Sequence, residues 1–215
     1  MSQSLKIALF GATGMIGSQI AAEAARRGHE VTAFVRDPAR VPADIANLRA
    51  VKLDLLDAPA VAAALRGFDA VASAYSTPHG DVTPLPAATR SLIEGARAAG
   101  VKRLVVVGGA GSLEVAPGKQ LVDTEGFPDA YKAVALAHRD TVALYRGAND
   151  LDWTFFSPAA EISPGERTGK FRTGAGSLIV DANGHSRIST QDYAIAFVDE
   201  LEQGRFIHQI ATVAY

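Results

Sequence analysis

Short apolar runs alternate with longer segments of helical periodicity over the first half of the chain. The runs that predict strands are LKIALF (residues 5–10), HEVTAFV (29–35), LRAVKLDL (48–55), DAVASAY (69–75) and KRLVVVGG (102–109). The segments between them that place apolar residues at helical spacing, and end at or just before a glycine, are 15–27, 59–67 and 86–99. This alternation is typical of a parallel sheet covered by helices on both faces.

The pattern loosens after Gly111, where a stretch rich in glycine and proline runs to Pro128. A long helix is predicted over residues 129–146, and LDWTFFSP (151–158) predicts a sixth strand. Residues 161–189 are rich in turn formers, such as RTGAG and DANGHS, which predict short strands joined by tight turns.

The last predicted elements are a helix over residues 190–201 and a strand within RFIHQIATVAY (205–215). Thr190 suits the N-cap of this helix, and Asp192 in its first turn is favourable for the helix dipole. No linker or low-complexity segment interrupts the chain. We therefore expect a single α/β domain over residues 1–215, whose C-terminal third caps the sheet.

The amino-acid composition excludes several kinds of binding partner and chemistry. The 215 residues include 21 basic and 23 acidic side chains, so neither a nucleic acid nor an anionic membrane is expected as a partner. The chain has no cysteine, which excludes disulfides and thiolate chemistry. No secretory leader or membrane-spanning run is evident, and no metal-ligand spacing stands out, so we expect a cytoplasmic protein without a metal.

The motif GATGMIG directly follows the first predicted strand and opens the first predicted helix. In this context glycines at positions 11, 14 and 17 predict a dinucleotide pyrophosphate held at the helix N-terminus. The alternative is a strand-to-helix turn whose glycines serve geometry alone. The predicted contact residues here are Gly11, Thr13, Gly14, Met15, Ile16 and Gly17.

The residue that ends the second strand bears on the choice of cofactor. An acidic residue there would favour NAD(H), whereas Arg36 offers a planar fork to a 2′-phosphate and favours NADP(H). Asp37 comes next and leaves the choice partly open, unless it only shapes the turn before Pro38. At the end of the third strand, Asp54 and Leu55 are predicted to contact the adenine.

These motifs occur in a recognisable order. GATGMIG, VRDP, LDLLD, VVVGGAGSLEV, LDWTFFSPA, PGERTGKFRTG and ISTQDYAIAFVDELE together resemble the atypical short-chain dehydrogenase/reductase branch called NAD(P)H-binding or NmrA-like. The chain is most similar to the small NADH-flavin reductases of that branch. The resemblance spans nearly the whole chain and implies a Rossmann-type, doubly wound, mostly parallel sheet, with residues 157–189 and the C-terminal strand as a small substrate-side cap.

The resemblance also implies a dinucleotide-dependent activity, since members of this branch reduce flavins with NADPH. The superfamily also contains redox sensors that bind the dinucleotide without turning it over. Pro158 fits the usage of the branch after its sixth strand.

The usual proton relay of short-chain dehydrogenases is broken in this sequence. A Tyr-x-x-x-Lys pair shares one helix face, and its lysine lowers the pKa of the phenol. Here Tyr131 is followed four residues later by Ala135, while Lys132 lies about 100° round the helix. The residues kept as catalytic candidates are Ser112, Tyr131 and His138. Either these three form a rebuilt relay, or no protein acid is needed, as in hydride transfer to a flavin.

The remaining candidates follow the later strands, since ligands of such sheets bind beyond the carboxyl ends. Predicted cofactor contacts are Ala74, Tyr75, Ser76, Gly108, Gly109, Ser157 and Pro158. His79 is a possible acid. Arg167 and Lys170 could meet a phosphate such as that of FMN, or could be solvated hairpin residues.

The sequence therefore predicts an NAD(P)H-dependent oxidoreductase that reduces a flavin or similar planar acceptor, with NADP(H) favoured over NAD(H) and FMN or FAD as possible substrates. The alternatives are a catalytically silent NADP-binding sensor and, less favoured, a sugar-nucleotide epimerase or dehydratase. The expected partner is a small-molecule acceptor, and the expected state is a monomer or homodimer.

Overall fold

The computed structural model describes residues 4–77 and 81–215. Its strands are β1 (Lys6–Phe10), β2 (Glu30–Val35), β3 (Leu48–Lys52), β4 (Ala70–Ser73), β5 (Arg103–Val107), β6 (Glu114–Ala116), β7 (Lys119–Gln120), β8 (Asp152–Ser157), β9 (Glu161–Ser163), β10 (Arg172–Ala175), β11 (Arg187–Ser189) and β12 (Gln209–Ala214). Its α-helices are α1 (Met15–Arg26), α2 (Ala58–Ala64), α3 (Leu85–Ala99), α4 (Asp129–Arg146) and α5 (Thr190–Gln203).

An eight-stranded sheet forms the centre of the molecule, in the order β10-β12-β8-β5-β4-β1-β2-β3. All neighbouring strands are parallel except β10 and β12. The strand order reverses between β1 and β4, which creates the crevice where doubly wound sheets bind ligands. The predicted Rossmann-type fold is confirmed.

Both faces of the sheet are buried because the strands are apolar on both sides. Along β1, Ile7 and Leu9 pack into the cluster formed with α1 and α5, while Ala8 and Phe10 pack into the cluster formed with α2, α3 and α4. This explains why β1 is a continuous apolar run rather than an alternating one.

The C-terminal strand corrects one prediction. The sequence assigned it to the cap, but β12 lies within the central sheet, parallel to β8 and antiparallel to β10. The turn-rich segment has the short strands and tight turns predicted for it, but its strands do not pair with each other as hairpins. Arg172–Ala175 is one strand of the main sheet, and Asp181–Gly184 closes a tight turn without a second flanking strand.

Two small two-stranded sheets lie outside the central sheet, and the sequence predicted neither the β9–β11 pairing nor the β6–β7 hairpin. β9 and β11 pair in parallel, and β6 and β7 form a short hairpin in the glycine-rich stretch. Each strand has two or three residues, so none is long enough to show a period of two.

The start of α5 differs by one residue from the prediction. Ser189, not Thr190, is the N-cap, and its hydroxyl accepts the backbone N–H of Asp192 at 3.0 Å. Thr190 is the first helical residue and is buried.

Asp192 has a larger structural task than favouring the helix dipole. Its fully buried carboxylate accepts the backbone N–H groups of Thr168 and Gly169, both at 2.8 Å, and the hydroxyl of Thr168 at 2.6 Å. It also accepts the hydroxyl of Tyr215 at 3.0 Å. One carboxylate therefore holds both the 164–170 segment and the C-terminal residue against α5.

Asp192→Ala should destabilise the fold, because it removes the buried carboxylate that accepts four hydrogen bonds. We expect a loss of about 2–4 kcal/mol in the free energy of unfolding. Urea denaturation followed by circular dichroism measures it, with Asp44→Ala at an exposed position as the control. A loss no larger than that of the control would contradict the anchoring role.

Candidate functional site

A cleft of about 530 Å³ opens at the carboxyl ends of β1, β2 and β4 and the residues that follow β3. The sequence-predicted residues that line it are Gly11, Thr13, Gly14, Arg36, Asp54, Leu55, Ala74, Tyr75 and Ser76. Another cleft, of about 570 Å³, lies at the opposite edge of the sheet and includes Lys6, Glu30 and Arg66. Ligands of open α/β sheets bind at the carboxyl edge, so we identify the first as the candidate site and call it the glycine-loop cleft.

Gly11 and Gly17 are required by the protein's own backbone. Gly11 has φ +79°, and a Cβ there would overlap the main chain of Ala74. A Cβ on Gly17 would overlap the carbonyl of Gly11 and lie 3.1 Å from the Cβ of Ala74. These two glycines therefore let α1, the loop and the exit of β4 meet closely.

Gly14 is different, because nothing in the protein demands it. It has an ordinary φ of −84°, it is exposed, and the nearest atom to an added Cβ would be the carbonyl oxygen of Gly11, 3.5 Å away. A Cβ here would instead project into open space beside the cleft. This glycine fits a backbone position that a ligand approaches closely.

The start of α1 supplies hydrogen-bond donors at the same place. The helix has no side-chain cap and no acidic residue in its first turn. The first intrahelical bond runs from Ser18 N–H to Gly14 C=O, so the N–H groups of Met15, Ile16 and Gly17 precede the helical ladder. Together with the positive end of the helix dipole, they suit a pyrophosphate.

Two arginines line the glycine-loop cleft. Arg36 was predicted, and Arg40, which also lines the cleft, was missed. The carboxylate of Asp37 instead accepts the N–H of Ala39 at 3.1 Å and caps a short 3₁₀ turn over Pro38–Arg40. Arg36 and Arg40, on either side of this turn, line the same cleft, which the loop sequence could not show.

The adenine-side candidates have partly structural roles. The Asp54 carboxylate accepts the N–H of Leu56 at 3.0 Å and so shapes its own turn. Leu55 is buried and packs in the core beside Phe34, while it also borders the cleft. Leu53 and Leu56 line the same wall and were not predicted.

Tyr75 lies half-buried at the inner end of the cleft. Burial raises the pKa of its phenol, against the opposing effect of Arg36, so the ring is neutral and protonated at pH 7. Ser76 beside it is exposed. The neighbouring His79, a candidate acid in the sequence, lies outside the described residues.

The candidates after β5 and β8 do not line this cleft. A Cβ on Gly108 would overlap the ring of Phe155, which makes this glycine a packing requirement. Ser157 is buried and its hydroxyl donates to Gly109 C=O at 3.1 Å, while Pro158 is buried as well. Their position at the carboxyl ends of the adjacent strands keeps them near the switch point, but their contact with a cofactor stays a prediction.

The catalytic candidates are dispersed. Tyr131 is 67% exposed at the start of α4, and Lys132 beside it is exposed too. Ala135 stands where the relay lysine would be and packs against Gly111. A Cβ added to Gly111 would lie 2.8 Å from the Cβ of Ala135. Ser112 is buried in the wall of a different cavity. The structure thus does not bring Ser112 and Tyr131 together.

His138 shares a pocket with Tyr75, a residue of the glycine-loop cleft. It faces Gly109 and, with Ser73 and Tyr75, lines a very small pocket beneath the exit of β4. Burial lowers its pKa to about 4, so the imidazole is neutral at pH 7. A neutral imidazole in this position is a weak acid for proton donation.

Arg167, a candidate for a phosphate contact, forms an ion pair with Glu23. Its guanidinium donates to both carboxylate oxygens of Glu23 at 3.1 Å and ties the 164–170 segment to α1. Burial opposes ionisation of Glu23, but hydrogen bonds from Arg167, Arg26 and Arg27 outweigh it and lower its pKa to about 2. Lys170 is exposed.

Within residues 4–77 and 81–215, no cluster of three or more His, Cys, Asp or Glu side chains could hold a metal ion. Among the helices of the described chain, none combines the length and apolar character needed to cross a bilayer.

Gly14→Ala and Gly17→Ala should separate binding from folding. Gly17→Ala forces a backbone overlap and should lower the free energy of unfolding by about 2 kcal/mol or more. Gly14→Ala, at the N-cap of α1, should cost no more than about 1 kcal/mol of stability but weaken dinucleotide binding roughly tenfold or more. Urea denaturation and titration calorimetry measure the two effects. Unchanged binding by Gly14→Ala would contradict the pyrophosphate assignment.

The lowered pKa of His138 predicts a pH-dependent stability. The unfolded chain has the ordinary histidine pKa of 6.5 and the folded chain a value of about 4, so only the unfolded state takes up this proton in between. The free energy of unfolding should therefore fall by about 2–3 kcal/mol as the pH drops from 6.5 to 4. Urea titrations at several pH values test this, and His138→Gln should lack that part of the loss. The same slope in both proteins would exclude His138 as its source.

Solved structures of similar proteins cover almost the entire chain. A Burkholderia pseudomallei protein named a "putative exported protein" is 68% identical, with 98% of this chain and 100% of that chain covered and a TM-score of 0.91. A "putative epimerase" from Bacteroides thetaiotaomicron is 38% identical, with 99% and 98% covered and a TM-score of 0.92. A "putative NADH-flavin reductase" from Streptococcus pneumoniae is 38% identical, with 98% and 99% covered and a TM-score of 0.86.

The family model described as NAD(P)H-binding matches residues 11–203, from the first glycine of the loop to the end of α5. This match agrees with the glycine-loop cleft and with the resemblance noted in the sequence. The chain belongs to the NAD(P)H-binding family.

Proposed function

We propose that this protein is an NADPH-dependent reductase that delivers a hydride to a flavin or a similar planar acceptor. The observation that carries the proposal is the position of Tyr131, which is 67% exposed and does not line the glycine-loop cleft. A carbonyl reductase needs a proton donor beside the nicotinamide, whereas a reduced flavin can take its proton from solvent. The similarity to a protein named an NADH-flavin reductase supports the same assignment.

Different residues of the cleft would bind different parts of the dinucleotide. The free N–H groups at the start of α1 would bind the pyrophosphate, and the open space at Gly14 would admit it. Leu53 and Leu56 offer apolar surface for the adenine. Bound NADPH would supply the hydride, and the task left to the protein is to orient the two rings and exclude water between them.

Arg36 and Arg40 support NADPH over NADH. Both residues line the cleft, and two planar guanidinium forks suit a 2′-phosphate. Asp37, the residue that left NAD(H) open, is engaged with Ala39 in its own turn.

A silent NADP-binding sensor is the second candidate function. The neutral, partly buried His138 and the absence of a Tyr/Lys pair in α4 favour it as much as they favour flavin reduction. Turnover with a flavin is the observation that separates the two. An epimerase or dehydratase, despite the name of one similar protein, is disfavoured because such enzymes use the Tyr/Lys pair.

The cytoplasmic location and the monomeric or homodimeric state stay predictions. One similar protein is named as exported, so cell fractionation is the appropriate check on location.

Substitution of the two arginines should change cofactor preference. We expect Arg36→Gln and Arg40→Gln each to weaken NADPH binding roughly tenfold, and NADH binding much less, because only NADPH carries the 2′-phosphate. Titration calorimetry measures both affinities. Arg66→Gln, at the other edge of the sheet, is the matched control. Equal losses for both dinucleotides would mean that the arginines do not contact the 2′-phosphate.

Flavin reduction should not depend on Tyr131. Under anaerobic conditions, the protein should accelerate NADPH oxidation by FMN, FAD or riboflavin, and Tyr131→Phe should keep the wild-type rate within about twofold. The absorbance of the reduced nicotinamide follows the reaction. No acceleration with any flavin or quinone would rule out the reductase and leave the sensor. A large loss in Tyr131→Phe would point instead to proton transfer by this phenol.

A further inference from the structure

Met15 differs from the other residues of the glycine loop because it carries a sulfur atom on an exposed side chain. It is the first helical residue of α1, directly after Gly14, and it is 50% exposed. The chain has two methionines and no cysteine, so Met15 is its only sulfur-containing residue apart from Met1. A thioether that water reaches is open to oxidation to the sulfoxide.

The geometry of the helix directs the side chain of Met15 toward the dinucleotide site. Side chains of an α-helix lean toward its N-terminus, so that of Met15 covers the turn that precedes its own Cα. That turn is the glycine loop, whose Gly14 lines the glycine-loop cleft. The free N–H groups of Met15, Ile16 and Gly17 precede the helical ladder at the same end. The thioether therefore lies beside the donors that suit a pyrophosphate.

Oxidation would make this apolar position polar. A sulfoxide carries an oxygen with partial negative charge, which accepts hydrogen bonds. The start of α1 has neither a side-chain cap nor an acidic residue in its first turn, so such an oxygen meets the same free donors and the same end of the helix dipole as a phosphate. It therefore competes with the pyrophosphate for these donors and repels the phosphate oxygens.

We propose that Met15 is an oxidation site that controls dinucleotide binding. A peroxide transfers one oxygen atom to the thioether sulfur, so the methionine becomes its sulfoxide while hydrogen peroxide becomes water. The oxidised protein binds NADP(H) roughly tenfold more weakly. The effect on binding rests on the dinucleotide site of the proposed function, whereas the oxidation itself does not.

The proposed reaction would itself supply the oxidant. Reduced FMN that meets dioxygen passes two electrons and two protons to it, which gives FMN and hydrogen peroxide. Oxidation of Met15 would then slow further turnover whenever reduced flavin is left to react with air. A methionine sulfoxide reductase would restore the thioether and with it the activity.

The test treats the full-length protein with hydrogen peroxide, with and without saturating NADP⁺. Peptide mass spectrometry should show one added oxygen on the peptide that contains Met15. Bound NADP⁺ should slow this oxidation several-fold, because it covers the sulfur. Titration calorimetry then compares the NADP⁺ affinity before oxidation, after oxidation, and after repair by a methionine sulfoxide reductase, which should restore it. Circular dichroism of each sample checks that the fold is intact.

Two substitutions isolate the effect of the thioether. In Met15→Leu, peroxide should leave the NADP⁺ affinity at the value that this variant has before treatment. Met15→Gln places a permanent side-chain oxygen near the free N–H groups, and it should bind NADP⁺ more weakly than Met15→Leu does. This comparison needs no peroxide and therefore no chemical modification elsewhere in the chain.

Two results would overturn the proposal and leave the proposed function standing. One is a Met15 thioether that resists peroxide at concentrations that oxidise free methionine. The other is an NADP⁺ affinity that oxidation leaves unaltered, or that falls equally in Met15→Leu. An unoxidised protein that binds no NADP⁺ would instead overturn the dinucleotide site, and the oxidation switch with it.

Discussion

The close approach of three backbone segments is the constraint on which the rest of the structure depends. The glycine loop, the first turn of α1 and the exit of β4 meet so tightly that Gly11 and Gly17 have no room for a side chain beside Ala74. Their contact fixes where α1 begins relative to the switch point of the sheet. The same contact therefore sets the direction of the free N–H groups of α1 and the position of the open space beside Gly14.

The elements of the sheet could be predicted from the sequence because their cause is local. A buried parallel strand is a continuous apolar run, and a glycine or proline bounds each helix. The strands β1 to β5 and β8 and all of the α-helices accordingly lie close to their predicted ranges. The place of β12 inside the sheet was not predictable in this way, because strand order depends on pairing between distant segments.

The residues of the candidate site could likewise be predicted only where their signal in the sequence is local. The glycine loop and Arg36 carry their own local signal, whereas Arg40 depends on a turn that Asp37 caps. The roles of Asp192 and Arg167 arise from partners 24 and 144 residues away, so no spacing in the sequence could indicate them. Tyr131 is a residue type that fits a relay, so the sequence suggested it. In the structure it is 67% exposed at the start of α4 and does not line the cleft.

The proposed reductase has only to orient the dinucleotide and its acceptor, because a flavin accepts a hydride and can take its proton from solvent. The most direct test is single-turnover reduction of FMN by NADPH deuterated at C4, under anaerobic conditions. The account predicts reduction faster than in free solution, a primary isotope effect from the C4 deuterium, and no effect of deuterated solvent on that step. Reduction no faster than in free solution, or a rate set by solvent deuterium, would contradict it.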